Sequence, residues 1–551
     1  MLPSPSPFRP SAWRSALHPY PGQLGELLAD ILIYGAQLGY SGPSRLLISQ
    51  NLASALIQPS IISDKLQTDL DLGRVARCTT EPPFICSPLG LAPKADGGWR
   101  RIHHLSFPNE NSVNSNIPQD CGYLRYTTLE SIFRMVRHVG RGAIIVKKDL
   151  KDAFRMIPVA YNQRWLLGFS WDGQFYHENC LPFGLRTSPF IFNLFAEGLH
   201  WLIQAALHWD HLEHYLDDFI AIFPAAYPYI PRALADYDDL AATLGLLPNV
   251  SKDAQGSCVE CLGIEIDSVA MEARLPARKI AKAERLIDEA LSRGTLTLRE
   301  TQRLAGFLSF CSAVVLLGRT HLQRLWGFSS SFINPLSHRP LTEPARADLT
   351  WWRDLLPRFN GVRFIDETLR PRFHLFTDAS RTGLGGFFYP GGPEHSLWNL
   401  CCPSFPASNA FGVPLLPDEV PLHINHLELR AIELAFRVWG SLWHHGIVTI
   451  HTDNAAAFAG VHNGTIRGPA MAALRPTLLA AAEADIHLHV LWLPTDRNSL
   501  ADALSHLDWP KVANFCPQWD PRSLSNPRKS LSNSPAKWPR PTSTPNSSGT
   551  A

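Results

Sequence analysis

Asp217 and Asp218 stand side by side in the run His214-Tyr215-Leu216-Asp217-Asp218-Phe219-Ile220-Ala221-Ile222. Apolar residues flank the pair, so the run reads as a β-hairpin with the acids at its turn. Adjacent carboxylates repel, and burying either one without a partner is costly or forces protonation. A divalent cation between the oxygens relieves that cost. Magnesium takes hard oxygen ligands and leaves room for substrate phosphates, which makes phosphoryl transfer the chemistry to expect. A solvated acidic turn would satisfy the same residues, and the pair alone does not separate the two readings. A third acid does. The apolar run Ile144-Ile145-Val146 leads into Lys147-Lys148-Asp149, and Phe154 follows five positions after that aspartate. Two strands that each end in carboxylates can gather three acids around two ions roughly 3.5–4 Å apart, which clamp the attacking and leaving oxygens of an in-line displacement.

Between these acids lies Leu181-Pro182-Phe183-Gly184-Leu185-Arg186-Thr187-Ser188-Pro189, ahead of a long apolar stretch from Phe190 to Ile203. Thr187 or Ser188 can cap that helix, and Pro189 suits its first turn. Upstream, Leu91 to Lys94 and Gly97 to Ile102 read as a hairpin, and downstream Lys252 follows Leu244-Gly245-Leu246-Leu247. Together these segments resemble the palm and fingers of reverse transcriptases. Asp149-Leu150-Lys151-Asp152-Ala153-Phe154 is similar to their first catalytic motif and Tyr215-Leu216-Asp217-Asp218 to their third. The resemblance implies that Asp149, Asp217 and Asp218 hold metal ions. It implies that Phe154 excludes a ribose 2′-OH and that Phe183 and Gly184 line the incoming nucleotide. Lys94, Arg100 and Lys252 would approach its triphosphate, Arg100 with a bidentate fork. Core packing for Phe154 and a solvated side chain for Lys252 are the plainer alternatives. The segment Trp99-Arg100-Arg101-Ile102-His103-His104-Leu105-Ser106-Phe107-Pro108 resembles the form found in DIRS-like retroelements, with gypsy-like ancestry the alternative. His103 and His104 have no ligand partners at metal spacing and are expected to be hydrogen bonded.

The C-terminal third carries a second acid set. An apolar strand ends in Asp378, and Gly383, Gly385 and Gly386 are expected to turn the chain into a second strand through Phe387 and Phe388. Glu428 opens a helix whose Leu427, Ala431, Leu434, Ala435, Val438 and Leu442 recur at helical spacing. Asp453 ends another apolar strand, and Asp502 sits in a closing helix that begins at Asn498. Strand, helix, strand, helix, each with an acid, resembles ribonuclease H. By that resemblance Asp378, Glu428, Asp453 and Asp502 hold two divalent ions that activate water and stabilise the leaving 3′ oxygen. Alone, each acid is an ordinary cap or surface charge, Glu428 especially. Retroviral relatives keep a histidine in the loop before the last acid. Here that loop is Pro494-Thr495-Asp496-Arg497-Asn498, so no catalytic histidine is assigned, and Asp496 is the candidate substitute.

These centres need elements to hold them. The expected fold is a multidomain α+β chain: a right-hand polymerase of fingers, palm and thumb, followed by a ribonuclease H-like α/β domain. The boundaries are a partly helical N-terminal extension over 1–75 (helices at Leu24–Leu38 and Ile48–Ile57), fingers and palm over 76–270, and thumb and connection over 271–370. The ribonuclease H-like domain spans 371–508, and a disordered Pro/Ser-rich tail covers 509–551. Trp326, Trp351 and Trp352 are expected packing anchors. The 551 residues carry a net charge of +1, so nucleic-acid affinity must come from local patches such as Lys147, Lys148 and Lys151, or Arg274, Arg278, Lys279, Lys282 and Arg285. Ten scattered cysteines, with Cys258 and Cys261 lacking a second pair, argue against a zinc site and for reduced thiols. No uninterrupted apolar span suits a membrane and no signal peptide is read, so an intracellular location in cytoplasm or nucleus is expected.

The implied cofactor is Mg2+, with Mn2+ able to replace it, two ions per site. The implied partners are an RNA template, a DNA primer, an RNA–DNA hybrid and deoxynucleoside triphosphates, with no membrane; oligomeric state is not readable. The implied activity is RNA-directed DNA synthesis with cleavage of the RNA strand of hybrids. The alternative is a decayed retroelement remnant that binds nucleic acid without activity, against which all seven acids are present. An RNA-templated RNA polymerase shares the palm acids, but Phe154 and the second acid set oppose it.

Overall fold

A computed structural model of the chain describes residues 6–78, 85–93, 97–356, 363–366, 370–391, 405–466, 468–484, 486–526 and 528. It divides into two compact units, Met1–Leu262 with Ile266–Met271, and Gly263–Glu265 with Glu272–Ala551.

The first unit is built on a four-stranded antiparallel sheet. Its strands are β1 (Ile144–Asp149), β2 (Leu212–Tyr215), β3 (Asp218–Phe223) and β4 (Ala254–Gly256), in the order β4-β1-β3-β2. The helix α1 (Ser188–Leu207) lies in the core beneath it and buries Phe192, Phe195, Leu199, Leu202 and Ile203 at the three- and four-residue spacing of one helical face. By length and average composition this helix could cross a membrane; its apolar face is packed inside the unit instead. Pro189 sits in the first turn, but neither expected cap forms. The Thr187 hydroxyl donates to the Leu38 carbonyl at 3.0 Å and the Ser188 hydroxyl to the Pro182 carbonyl at 2.9 Å, so both pin neighbouring loops.

Residues 6–74 pack into the first unit. Trp13, fully buried in the helix Pro10–Ala16, meets Phe195 edge-on at 5.4 Å, and Phe8 lies 5.5 Å from the same ring. The Arg9 amide donates to the Leu244 carbonyl at 3.0 Å. Gly245 (φ +79°) makes this approach possible, since a Cβ there would fall 2.1 Å from the Pro7 carbonyl oxygen. The expected first helix runs Leu24–Tyr34; in place of the second, Leu47–Ile48 forms a strand and Ala53–Ile57 a short helix.

The second unit holds the helices Ala277–Arg293, Leu298–Cys311 and Glu343–Leu355, and a five-stranded sheet. The sheet strands are β5 (Arg372–Ala379), β6 (Gly383–Pro390), β7 (Ala410–Pro414), β8 (Ile447–Thr452) and β9 (His487–Trp492), in the order β7-β6-β5-β8-β9. The first three pair antiparallel; β5, β8 and β9 pair parallel. Helix α2 (Ile424–Trp439) buries Leu427, Ala431, Leu434 and Ala435 against the sheet, whereas Leu442 lies past the helix end and is exposed. The glycines expected to form a turn are in β6 itself. A Cβ on Gly385 would sit 2.4 Å from the Ser505 amide, so the bare strand lets helix α3 (Ser499–Ser505) lie directly on it.

Helix α4 (Trp509–Phe515) corrects the expected tail boundary. Val512 and Cys516 are buried, the Trp519 indole donates to the Phe405 carbonyl at 3.2 Å, and Arg528 pairs with Glu419 at 2.6 Å. A few well-placed apolar residues suffice to fold a segment whose average composition is polar; residues 529–551 lie outside the described residues. Trp352 is fully buried and Trp351 stacks on His321 at 3.9 Å, whereas Trp326 is 41% exposed and so is not the buried anchor expected.

Asp348, with no exposed surface, joins the helical part of this unit to its sheet part. Arg475 Nη1 lies 3.0 Å from its Oδ1, and the Arg324 amide donates to Oδ2 at 3.2 Å. Arg475→Met would strip the buried carboxylate of its nearest cation, leaving Arg324 Nη1 at 3.9 Å, and should cost about 3 kcal/mol in urea unfolding.

Candidate active sites

In the first unit the hairpin β2–β3 places the acid pair at its turn, with Leu216 at φ +54° just before Asp217. Strand β3 pairs with β1 so that Asp218 faces Asp149 across the sheet. Asp149, Asp217 and Asp218 therefore converge at one end of the sheet. Burial pushes Asp217 up to about 6, and the charges of Asp218 and Asp149 add to the effect. Burial also raises Asp218, opposed by Lys147, whose Nζ is 3.1 Å from Asp218 Oδ1. Lys252 Nζ lies 3.2 Å from Asp149.

The lysines thus do not form the free patch expected. Side chains alternate along a strand, so Lys147 meets Asp218 while Lys148 turns to the other face. There Lys148 is buried, with Nζ 2.6 Å from Asp253 and 3.1 Å from Asp238. Lys151 alone of the three is exposed. Asn249, which the sequence reading passed over, donates to Asp149 Oδ1 at 2.7 Å and through its backbone to the Asp149 carbonyl at 2.8 Å. Its only signal in sequence is its place three residues before Lys252.

A cavity of about 590 Å3 opens beside these acids, lined by Asp217, Asn249, Lys252, Phe183, Arg100, Lys151 and Asp152 among others. Phe154 stands behind its wall, 5.2 Å from Phe183 ring to ring, and Arg100 lies over the Phe183 ring at 5.1 Å. Gly184 (φ +103°) does not line the cavity. A Cβ there would meet the His103 carbonyl at 2.4 Å, so it serves the packing of its loop. Lys94 lies outside the described residues; Leu89–Pro93 and Trp99–His103 form the expected hairpin.

One flank of the cavity rests on a buried ionic network. Arg101 lies 2.7 Å from Asp69 and 3.0 Å from Glu178, and Arg155 lies 2.7 Å from Glu178. His103 is buried and hydrogen bonded to the Gly168 carbonyl at 3.0 Å, and burial holds it down at about 4 and neutral.

In the second unit Asp378 is in β5, Glu428 in α2, Asp453 just past β8 and Asp502 in α3. Ligand oxygens of Asp378, Glu428 and Asp453 all lie within 4.8 Å of one another, the one group of three among the described residues that does so. Burial, then the charges of Asp378 and Asp453, push Glu428 up to about 9; burial raises Asp378 to about 6. Glu428 Oε2 is buried and accepts no hydrogen bond. Three hard carboxylates with an unsatisfied buried oxygen fit a divalent cation. Asp502 stands outside this group, with Lys511 Nζ 2.7 Å from its Oδ2 and His506 Nε2 3.6 Å from its Oδ1. Ser505 donates to Asp378 at 2.5 Å, and Asn498 donates to the Thr377 carbonyl at 2.9 Å, fixing α3 to β5. Asp496 is exposed on its loop. The basic stretch expected at 274–285 is partly engaged: Arg274 pairs with Glu265, while Lys279 and Lys282 lie over Phe310 and Phe307 at 4.1 and 4.2 Å.

Comparison with known proteins places a family on the first of these sites. Residues 92–266 match the reverse transcriptase (RNA-dependent DNA polymerase) family. The Pro-Pol polyprotein of simian foamy virus type 1 is 31% identical over 108 residues, covering 19% of this chain and 8% of the polyprotein's own length. Two solved structures resemble the chain. A foamy viral protease–reverse transcriptase dRH with double-stranded DNA is 15% identical, covers 88% of this chain and 82% of its own, and has a TM-score of 0.48. The foamy viral protease–reverse transcriptase with an RNA/DNA hybrid is 15% identical, covers 88% and 63%, and has a TM-score of 0.46.

The ionic network carries a pH signature. Burial favours neutral Glu178, but Arg101 and Arg155 outweigh it and hold the group at about 2, against an ordinary 4.5. A depressed folded-state pKa gives stability that is complete above the ordinary value and is lost as pH falls toward the folded one. The protein should therefore lose about 3 kcal/mol through this group on acidification from about pH 5 to about pH 2. In Glu178→Gln, urea midpoints should start lower and fall less steeply over that window.

Proposed function

We propose that the chain is an RNA-directed DNA polymerase carrying a second centre that cleaves the RNA strand of RNA–DNA hybrids. The observation that carries this reading is the pairing of Asp149 with Asp218, beside Asp217, within the stretch that matches the reverse transcriptase family. Three crowded carboxylates above a cavity lined by Arg100 and Lys252 suit an anionic substrate. When bound, divalent ions, taken here as Mg2+, would stabilise charge on the reacting phosphate and favour the deprotonated attacking oxygen. The chain's own contribution is positional. Asn249 fixes the Asp149 carboxylate, Lys252 sets a cation at the cavity edge, and Phe183 with Arg100 forms a wall against which a base or sugar can rest. Such preorganised charge supplies most of the acceleration in phosphoryl transfer.

The second centre is read in the same way from Asp378, Glu428 and Asp453, with Asp502 as the fourth acid. The strand order and its four acids are what support a ribonuclease H-like domain. The partners that follow are an RNA template, a DNA primer, their hybrid and deoxynucleoside triphosphates. The Trp99–Pro108 segment favours a DIRS-like retroelement origin.

Primer extension on an RNA template with Mg2+, alongside cleavage of a labelled hybrid, tests the proposal. Asp217→Asn should abolish synthesis by at least about a hundredfold and leave hybrid cleavage intact, and Asp453→Asn should do the reverse. Loss of both activities in each variant would overturn the two-centre reading. Phe154 backs the Phe183 ring, so Phe154→Ala should let that wall yield and admit ribonucleotides; unchanged sugar selectivity would remove the gate from this pair.

A further inference from the structure

Asp502 differs from its three companions in having a cation of its own. Lys511 Nζ sits 2.7 Å from Asp502 Oδ2, and Asp502 lies outside the group of acids within 4.8 Å of one another. The contact is built by the backbone. Leu507 takes φ +56° and turns the chain sharply after α3; Asp508 then caps α4 by accepting the Lys511 amide at 3.1 Å. Lys511 is thereby fixed in the first turn of α4 and returned over Asp502, nine residues behind it. A cation is disfavoured at that end of a helix, where the backbone dipole is positive. Helix electrostatics thus give no reason for a lysine at this place, whereas the Asp502 carboxylate does. Meanwhile Glu428 Oε2, in the same cluster, is buried with no partner. One acid of the quartet is neutralised from within the chain and another is left unsatisfied.

We propose that Lys511 is a resident counter-cation that holds Asp502 apart from the other three acids and competes with the second divalent ion for it. It is a positioning residue: it acts through Asp502 and sets how much divalent cation the centre needs. The inference rests on the reading of the quartet as an ion-binding centre. It predicts two unequal affinities, a tighter ion on Asp378, Glu428 and Asp453, and a weaker one that must displace the Lys511 ammonium to reach Asp502.

The test is Mn2+ binding to the full chain, followed by calorimetry and by the spin-resonance signal of free Mn2+. Asp149→Asn and Asp217→Asn together silence the first centre in every sample. Lys511→Gln should tighten the weaker of the remaining ions ~3- to 10-fold, the scale of losing one nearby charge at the protein surface. Lys511→Arg, which keeps the charge, should match the parent. Thermal midpoints of both variants should match the parent, because the Lys511 side chain is 44% exposed. Equal Mn2+ affinity with and without the ammonium overturns the competition and leaves the ion-binding reading standing. If the silenced chain binds no Mn2+ that Asp378→Asn removes, the ion-binding reading itself falls, and the role of Lys511 with it.

Discussion

Repulsion among carboxylates held close together in poorly solvated surroundings is the constraint that shapes both centres. Desolvation and mutual repulsion both favour protonation of converged acids, and nearby positive charge offsets that tendency. Lysines supply that charge in the first unit, Lys147 against Asp218 and Lys252 against Asp149. Among the described residues of the second unit, Asp502 is the acid of the four with a lysine at ion-pair distance, and Glu428 stands furthest from its ordinary ionisation. The two centres therefore balance their charge differently: the first mostly with side chains, the second with one lysine at its margin.

Backbone approach does the positioning. In the first unit the register of β1 against β3 sets Asp149 opposite Asp218, and a one-residue slip would turn one carboxylate to the other face. In the second unit the side-chain-free stretch of β6 lets α3 touch the strand, which carries Ser505 to Asp378. A β-branched residue at Gly385 would lift that helix and separate Asp502 from β5 together. Charge and contact are thus arranged by different parts of the chain, often more than a hundred residues apart.

The acids that come together stand where apolar runs end, and that pattern is local, so it can be read from sequence. The hairpin at Asp217, the strand ending in Asp149, and the alternation of strands and helices around Asp378, Glu428 and Asp453 all belong to this kind. What could not be read depends on distant partners. Asn249 and Asp149 are 100 positions apart, and Lys148 meets Asp253 across 105. Thr187 looked like a helix cap until the Leu38 carbonyl, 149 positions away, claimed its hydroxyl. The glycines of β6 looked like turn formers because their function, admitting a helix backbone, is invisible until that helix is placed. The stretch over 509–551 looked polar on average, while Trp509, Val512, Phe515, Cys516, Trp519 and Leu524 gather in one apolar cluster.

The contact of Phe8, Arg9 and Trp13 with the region around Leu244 has a temporal side. The aromatic pair near the start of the chain can reach Phe195 only after helix α1 exists, and Arg9 finds its carbonyl acceptor only once residue 244 has been made. During synthesis those first side chains emerge well before their docking surface does. Closure of the first unit is therefore a late, long-range event, of the kind that slows folding and leaves apolar surface open in the interval. A nascent chain halted between these two points would present Trp13 to whatever binds exposed hydrophobic segments, and further synthesis, once the region around Leu244 had left the ribosome, would withdraw it.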